Sequence, residues 1–106
     1  MIVHTYCANM EFDWDPAKNE ANLKKHGISF DEAKHIFDGP ILTRADDRED
    51  YGENREFSLG ALSPDAVLVV VHAERSGKTR LISARKASRR ERKVYYDHLA
   101  QAQKGN

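Results

Sequence analysis

The stretch Ala66 to Ala73, AVLVVVHA, constrains the fold more than any other part of the chain. A strand sends alternate side chains to opposite faces, and here both faces are apolar, so both must be covered. Such a strand belongs in the middle of a sheet. The turn signals Ser63-Pro64-Asp65 and Ser76-Gly77-Lys78 bracket it, and REFSLGAL before it and TRLISAR after it read as its neighbours. The three form a hairpin-linked antiparallel meander.

The remaining elements have signed ends. DPAKNEANLKKHG offers Asp15 as N-cap, Pro16 at the first helical position and Gly27 as the stop. In SFDEAKHIFDG, Ser29 and Glu32 make a capping box, with Phe30, Ala33 and Phe37 on one face of a second short helix. Ser88 and Glu91 repeat the box before a last helix that buries Tyr95, Leu99 and Ala102. Phe12 and Trp14 alternate with acids in a short extended segment, Pro40 to Ala45 reads as a strand, and DDREDYGENRE as an exposed loop. The expected fold is α+β: an antiparallel sheet of three to four strands, two N-terminal helices and one C-terminal helix. A chain of 106 residues supports one domain, placed at residues 10 to 106, with residues 1 to 9 read as a flexible extension.

Net charge is zero, but the charges are segregated. From Asp31 to Glu56 there are nine acidic and four basic residues; from Arg75 to Lys93 there are nine basic and one acidic, Glu91. Four of those cations, Arg89, Arg90, Arg92 and Lys93, crowd the start of the last helix, where the backbone dipole is already positive. The arrangement suggests a basic face awaiting a polyanion, a solvated surface being the plainer reading. Other chemistries have little support. The five histidines show no metal-ligand spacing and the six glycines form no phosphate loop, so no metal or cofactor is expected. Cys7 cannot form an internal disulfide, and no signal peptide or membrane span is legible, which points to a cytoplasmic protein.

Guanidinium groups fork around phosphate oxygens and stabilise charge building on a pentacovalent phosphorus. RNA needs little more, since its own 2′-hydroxyl attacks once a base takes the proton and an acid protects the leaving oxygen. The cations singled out are Arg80 and Arg85, with Arg75, Arg55 and Arg89 as substrate contacts. His26, at a helix end beside Lys25, is a candidate base or acid, and Glu56, beside Arg55, another candidate base. Strict alternation puts Arg80 and Arg85 on opposite faces; with Arg75 they converge if a bulge re-aims one of them. Alternatively, Arg80 and Arg85 pair with acids of the 46 to 56 loop. His26 can equally cap its helix, and His72 reads as a hydrogen-bonded sheet histidine. Tyr96 is the one aromatic considered for base stacking.

FDWDPAKNEANLKKHGISFDEAKHIF, REFSLG, LVVVHAER and RLISARKASRRERKVYY together resemble the BrnT toxins of bacterial type II toxin-antitoxin pairs, from Met10 to about His98. The segment before Met10 is extra, and His72 and Ala73 stand where an aromatic and a threonine are more usual. The resemblance implies a RelE-like fold, metal-independent endoribonuclease activity that inhibits translation, and neutralisation by a ribbon-helix-helix antitoxin of the BrnA type. Operator DNA would be reached only through that antitoxin, and no membrane is involved. Carried over, the RNA site comprises Lys25, His26, Arg55, Glu56, Arg75, Arg80 and Arg85. A catalytically silent partner and corepressor is the alternative.

Overall fold

The computed structural model describes residues 2–5 and 10–104, with side chains from 10 to 102. Six strands form one sheet in the order β1-β3-β4-β5-β6-β2: β1 Ile2–Thr5, β2 Phe12–Asp13, β3 Pro40–Asp46, β4 Arg55–Ser63, β5 Ala66–Arg75 and β6 Lys78–Lys86. Helix α1 is Pro16–His26, α2 is Phe30–Ala33 continued by a 3-10 turn over Lys34–Asp38, and α3 is Arg89–Lys104. The three expected helices and the β4-β5-β6 meander are present. The sheet, however, is larger than three to four strands and is mixed, because β2 runs parallel to β6 through Phe12 opposite Thr79 and Asp13 opposite Arg80. Two residues are too few to leave a periodic signal. On the other edge β1 pairs with β3, so residues 2–5 of the segment read as an extension add a strand. Residues 1 and 6–9, with Cys7, lie outside the described residues.

Strand β5 lies between β4 and β6, and the apolar residues on both of its faces seed two cores. On one face Leu68, Val70, Leu81 and Ala84 pack against Ile28, Phe30, Ala33, Ile36 and Phe37 of the α1–α2 layer. On the other, Val67, Val69, Leu42 and Leu59 pack against Tyr95 of α3. Val94 and Leu99 complete that contact, whereas Ala102, expected inside, is exposed. Tyr95 anchors the helix by donating from its hydroxyl to Pro40 O at 2.7 Å.

The caps act as their sequence implies. Asp15 accepts from Ala17 N at 2.8 Å, Gly27 adopts a left-handed φ of 72° and Ser29 accepts from Glu32 N at 3.1 Å. Buried Asn22 joins α1 to β6: its side-chain amide accepts from Ala84 N at 3.0 Å and donates to Ala84 O at 2.9 Å, as a further strand would. His72 shares a buried chain with Ser58, 2.8 Å away, which in turn lies 2.7 Å from Thr43 Oγ1. It is a hydrogen-bonded sheet histidine.

Gly60 of β4 lets the 3-10 turn approach the sheet. A Cβ there would stand 2.7 Å from Ile36 Cβ and 3.1 Å from Ile41 Cγ2. Gly60→Ala should therefore lower unfolding free energy by about 1–3 kcal/mol through overpacking, measured by urea denaturation. Asn22→Leu should cost a similar amount, about 1–3 kcal/mol, by stranding the backbone groups of Ala84.

Candidate nucleic-acid interface

Strand register assembles the interface. Residues directly opposite one another in an antiparallel pair share a face. Asp46, Arg55, Ala73 and Arg80 form one row across β3 to β6. Arg44, Phe57, Val71 and Ser83 form the next, and Leu42, Leu59, Val69 and Arg85 the third. Arg80 and Arg85 are five residues apart, an odd spacing that regular alternation would send to opposite faces. Val71 is opposite Ser83 while His72 is opposite Leu81, so Ile82 is an extra residue on β6. That bulge returns Arg80 to the face of Arg85. Helix α3 packs on the apolar end of this face, and the rows of Phe57 and Arg55 continue beyond its first turn.

Each of the three expected arginines nevertheless has its own carboxylate. Arg75 donates to Glu53 at 2.8 and 2.6 Å, Arg85 to Glu91 at 2.8 and 2.9 Å, and Arg80 to Asp13 at 3.5 Å. Only Arg75 draws on the 46 to 56 loop; Arg80 and Arg85 find partners on β2 and α3 instead. Arg85 lines a cavity that neither Arg75 nor Arg80 lines, so what the three share is the face of the sheet. Arg80 is held most loosely. Arg55 lies 3.4 Å from Glu53 with its guanidinium 4.1 Å above the Tyr51 ring.

The other expected residues lie elsewhere. Glu56 is opposite His72, on the α1–α2 side of the sheet, and is exposed. It lines a cavity of about 600 Å³ at the β3–β4 loop together with Arg55, Tyr51 and the carboxylates of Asp46, Asp47, Glu49, Asp50, Glu53 and Glu74. That concentration of carboxylates has the wrong sign for RNA. Lys25 is exposed and His26 half-buried at the end of α1, the helix that packs along β6 on that same side. Tyr96 donates to Pro64 O at 3.0 Å, at the β4–β5 turn and so at the far end of the sheet from Arg55. Arg89 is exposed on the first turn of α3. The sheet thus sets Arg55, Arg75, Arg80 and Arg85 on one face, with Glu56 beside Arg55 in the cavity of the β3–β4 loop, whereas Lys25, His26 and Tyr96 lie away from them.

Register also recruits residues that the sequence reading missed. Arg44 stacks over Phe57 at 4.8 Å, and Arg48 reaches the same ring at 5.9 Å while donating to Asp46 at 2.7 and 2.8 Å. A cavity of about 160 Å³ is lined by Arg48, Phe57, Val69, Val71, Ser83, Arg85 and Glu91. Beside it, a cavity of about 370 Å³ is lined by Arg44, Phe57, Leu59, Val69, Arg90, Glu91 and Val94. The signal was the matched alternation of ILTRAD and REFSLG, which places Arg44 opposite Phe57 once the hairpin register is known. Among the described residues no metal-binding cluster of histidine, cysteine or acidic side chains is present.

The carboxylates are electrostatically committed. Hydrogen bonds from Arg75 hold Glu53 down to about 2, and Arg85, helped by the Ser88 backbone, holds Glu91 down to about 2. Arg48 likewise lowers Asp46. A depressed folded-state carboxylate stabilises the protein above its unfolded pKa and loses that effect as pH falls through the folded value. Melting temperature should be insensitive to these groups above pH 4.5 and fall between 4.5 and about 2. Glu53→Gln and Glu91→Gln should each flatten that fall in a pH series of thermal denaturation.

Against this geometry stand the likenesses to known proteins. No curated protein matches the sequence. The fold is similar to the 1.1 Å crystal structure of the Brucella abortus ribonuclease toxin BrnT, with a TM-score of 0.57 and 20% identity over 76% of this chain and 100% of that one. The family model for the ribonuclease toxin BrnT of type II toxin-antitoxin systems matches residues 14–91. Because that match takes in well over half of the residues, the chain belongs to the BrnT family of type II toxin-antitoxin toxins.

Proposed function

We propose that this toxin is a metal-independent endoribonuclease that inhibits translation by cutting RNA on the arginine face of its sheet. The observation that carries the reading is the Ile82 bulge, which sets Arg80 and Arg85 on one open face with Arg55. Loosely held Arg80 and half-exposed Arg85 receive the scissile phosphate, and Arg55 and Arg75 hold the flanking backbone. The 2′-oxygen gives up its proton to a base and bonds to phosphorus. The P–O5′ bond then breaks, leaving a 2′,3′-cyclic phosphate and a 5′-hydroxyl that takes up a proton. The guanidiniums absorb the charge that builds between these steps. Glu91 stays held by Arg85 and Ser88 N as the counter-charge of this face, and Glu56, which lines one cavity with Arg55, is the candidate base; His26 stands apart.

The same cations suit an acidic segment of a ribbon-helix-helix antitoxin of the BrnA type, which would silence the toxin by covering the face and carry it to operator DNA. A second reading, a silent partner and corepressor, is favoured by one observation: Arg75, Arg80 and Arg85 are already matched by carboxylates. RNA cleavage in EDTA separates the two. The nuclease reading expects cleavage products ending in cyclic phosphate, and a loss of about 10²–10³-fold in rate for Arg80→Ala or Arg85→Ala with the fold intact. Intact RNA, with and without ribosomes, supports the silent partner.

A further inference from the structure

The cavity of about 370 Å³ between α3 and the sheet has no role in gripping the scissile phosphate, yet it adjoins Arg85 through Phe57, Val69 and Glu91, which line both cavities. Its volume falls within the range of small-ligand sites. Its floor is apolar, built from Phe57, Leu59, Val69 and Val94. The polar groups at its rim are nearly all donors. Arg44 and Arg90 are exposed and, among the described residues, form no ion pair with a carboxylate. Glu91 is the one acceptor, and it is occupied: Oε1 accepts from Arg85 and from Ser88 N, and Oε2 from Arg85.

An apolar slot rimmed by guanidiniums that have no carboxylate partner, and adjoining an anion site, has the chemistry of a nucleobase subsite. We propose that this cavity binds a guanine base next to the phosphate held by Arg85, and so sets the cleavage preference of the toxin. The inference rests on the RNA site proposed above. Guanine is favoured because its N7 and O6 present two adjacent acceptors, which one arginine fork meets. Adenine and cytosine place an amino donor at the corresponding position and would meet donors with a donor. Arg44 already lies over the Phe57 ring, so the floor adds affinity for any base through apolar contact with Leu59, Val69 and Val94, without choosing among them. The cavity adjoins the proposed phosphate site through Phe57, Val69 and Glu91, which favours a base of the same RNA over a protein segment.

The test uses the full chain and uncleavable 2′-O-methyl trinucleotides that differ only in one base, with an abasic control, titrated by calorimetry. Guanine should bind about tenfold or more tightly than adenine, the discrimination expected of one bidentate contact. Arg44→Ala and Arg90→Ala should reduce that ratio to near unity and leave the abasic control unchanged, whereas Arg85→Ala should weaken every ligand alike. Arg44→Lys and Arg90→Lys keep the charge but lose the fork, and should also lose the guanine preference. Equal binding of all bases by the unaltered protein would overturn the proposal. So would arginine variants that weaken only the capture of an antitoxin, which would assign the cavity to protein. If guanine preference is found but no RNA is ever cleaved, the nuclease reading fails while the subsite stands.

Discussion

One extra residue in β6 decides what the exposed face of the sheet can do. Without Ile82, the alternation of the strand would send Arg80 to the α1–α2 side of the sheet, where His72 of the neighbouring row already packs against Phe37. A bulge resolves that conflict because it inserts a residue without breaking the pairing on either side. Leu81 stays with the core, opposite His72, and Arg80 turns outward opposite Ala73. The small Ala73 side chain, buried between Arg55 and Arg80, lets two long cations lie across the sheet in one row.

Crowded cations need compensation when no ligand is present, and the chain supplies it internally. Glu53 serves Arg55 and Arg75 together, Asp46 serves Arg48, and Glu91 serves Arg85. Glu91 has a second task. It accepts from Ser88 N at 2.8 Å while Ser88 Oγ accepts from Glu91 N at 3.1 Å, a complete capping box. The negative charge that the crowded helix start needed is therefore partly internal, and one carboxylate joins the stability of α3 to the occupancy of Arg85. Exposed pairs of this kind contribute little individually, about 0–1 kcal/mol, so an arriving phosphate competes on workable terms. Arg44 and Arg90, at the rim of the cavity beside α3, have no carboxylate partner among the described residues.

Much of the fold was legible because local signals were strong. The doubly apolar β5, the Asp15 and Ser29 caps and the Ser88–Glu91 box each announced an element that the structure contains. Edge strands were less legible: β2 is too short for periodicity, and β1 carried no turn signal to connect it with β3. The site was harder to read for a different reason. Which arginines share a face depends on register, and one unpaired residue reverses the answer for everything beyond it. Sequence could state the condition under which Arg80 and Arg85 converge, but not whether Ile82 meets it. Partner choice was equally hidden, since Asp13 and Glu91 lie 67 and 6 residues from the arginines they hold. Arg44 and Phe57, 13 positions apart, are neighbours only through the hairpin.

Membership of the BrnT family supplies the biological setting, and the arginine face of the sheet is the site proposed within it. The two meet in one claim: RNA phosphates lie on the face that carries Arg55, Arg80 and Arg85. The most direct measurement follows the Nε–Hε resonances of arginine by NMR while an uncleavable 2′-O-methyl RNA is added. The account predicts saturable shifts confined to Arg55, Arg80, Arg85 and their neighbours across β3 to β6. Shifts centred instead on His26 and Lys25, with the arginine resonances unmoved, would contradict it.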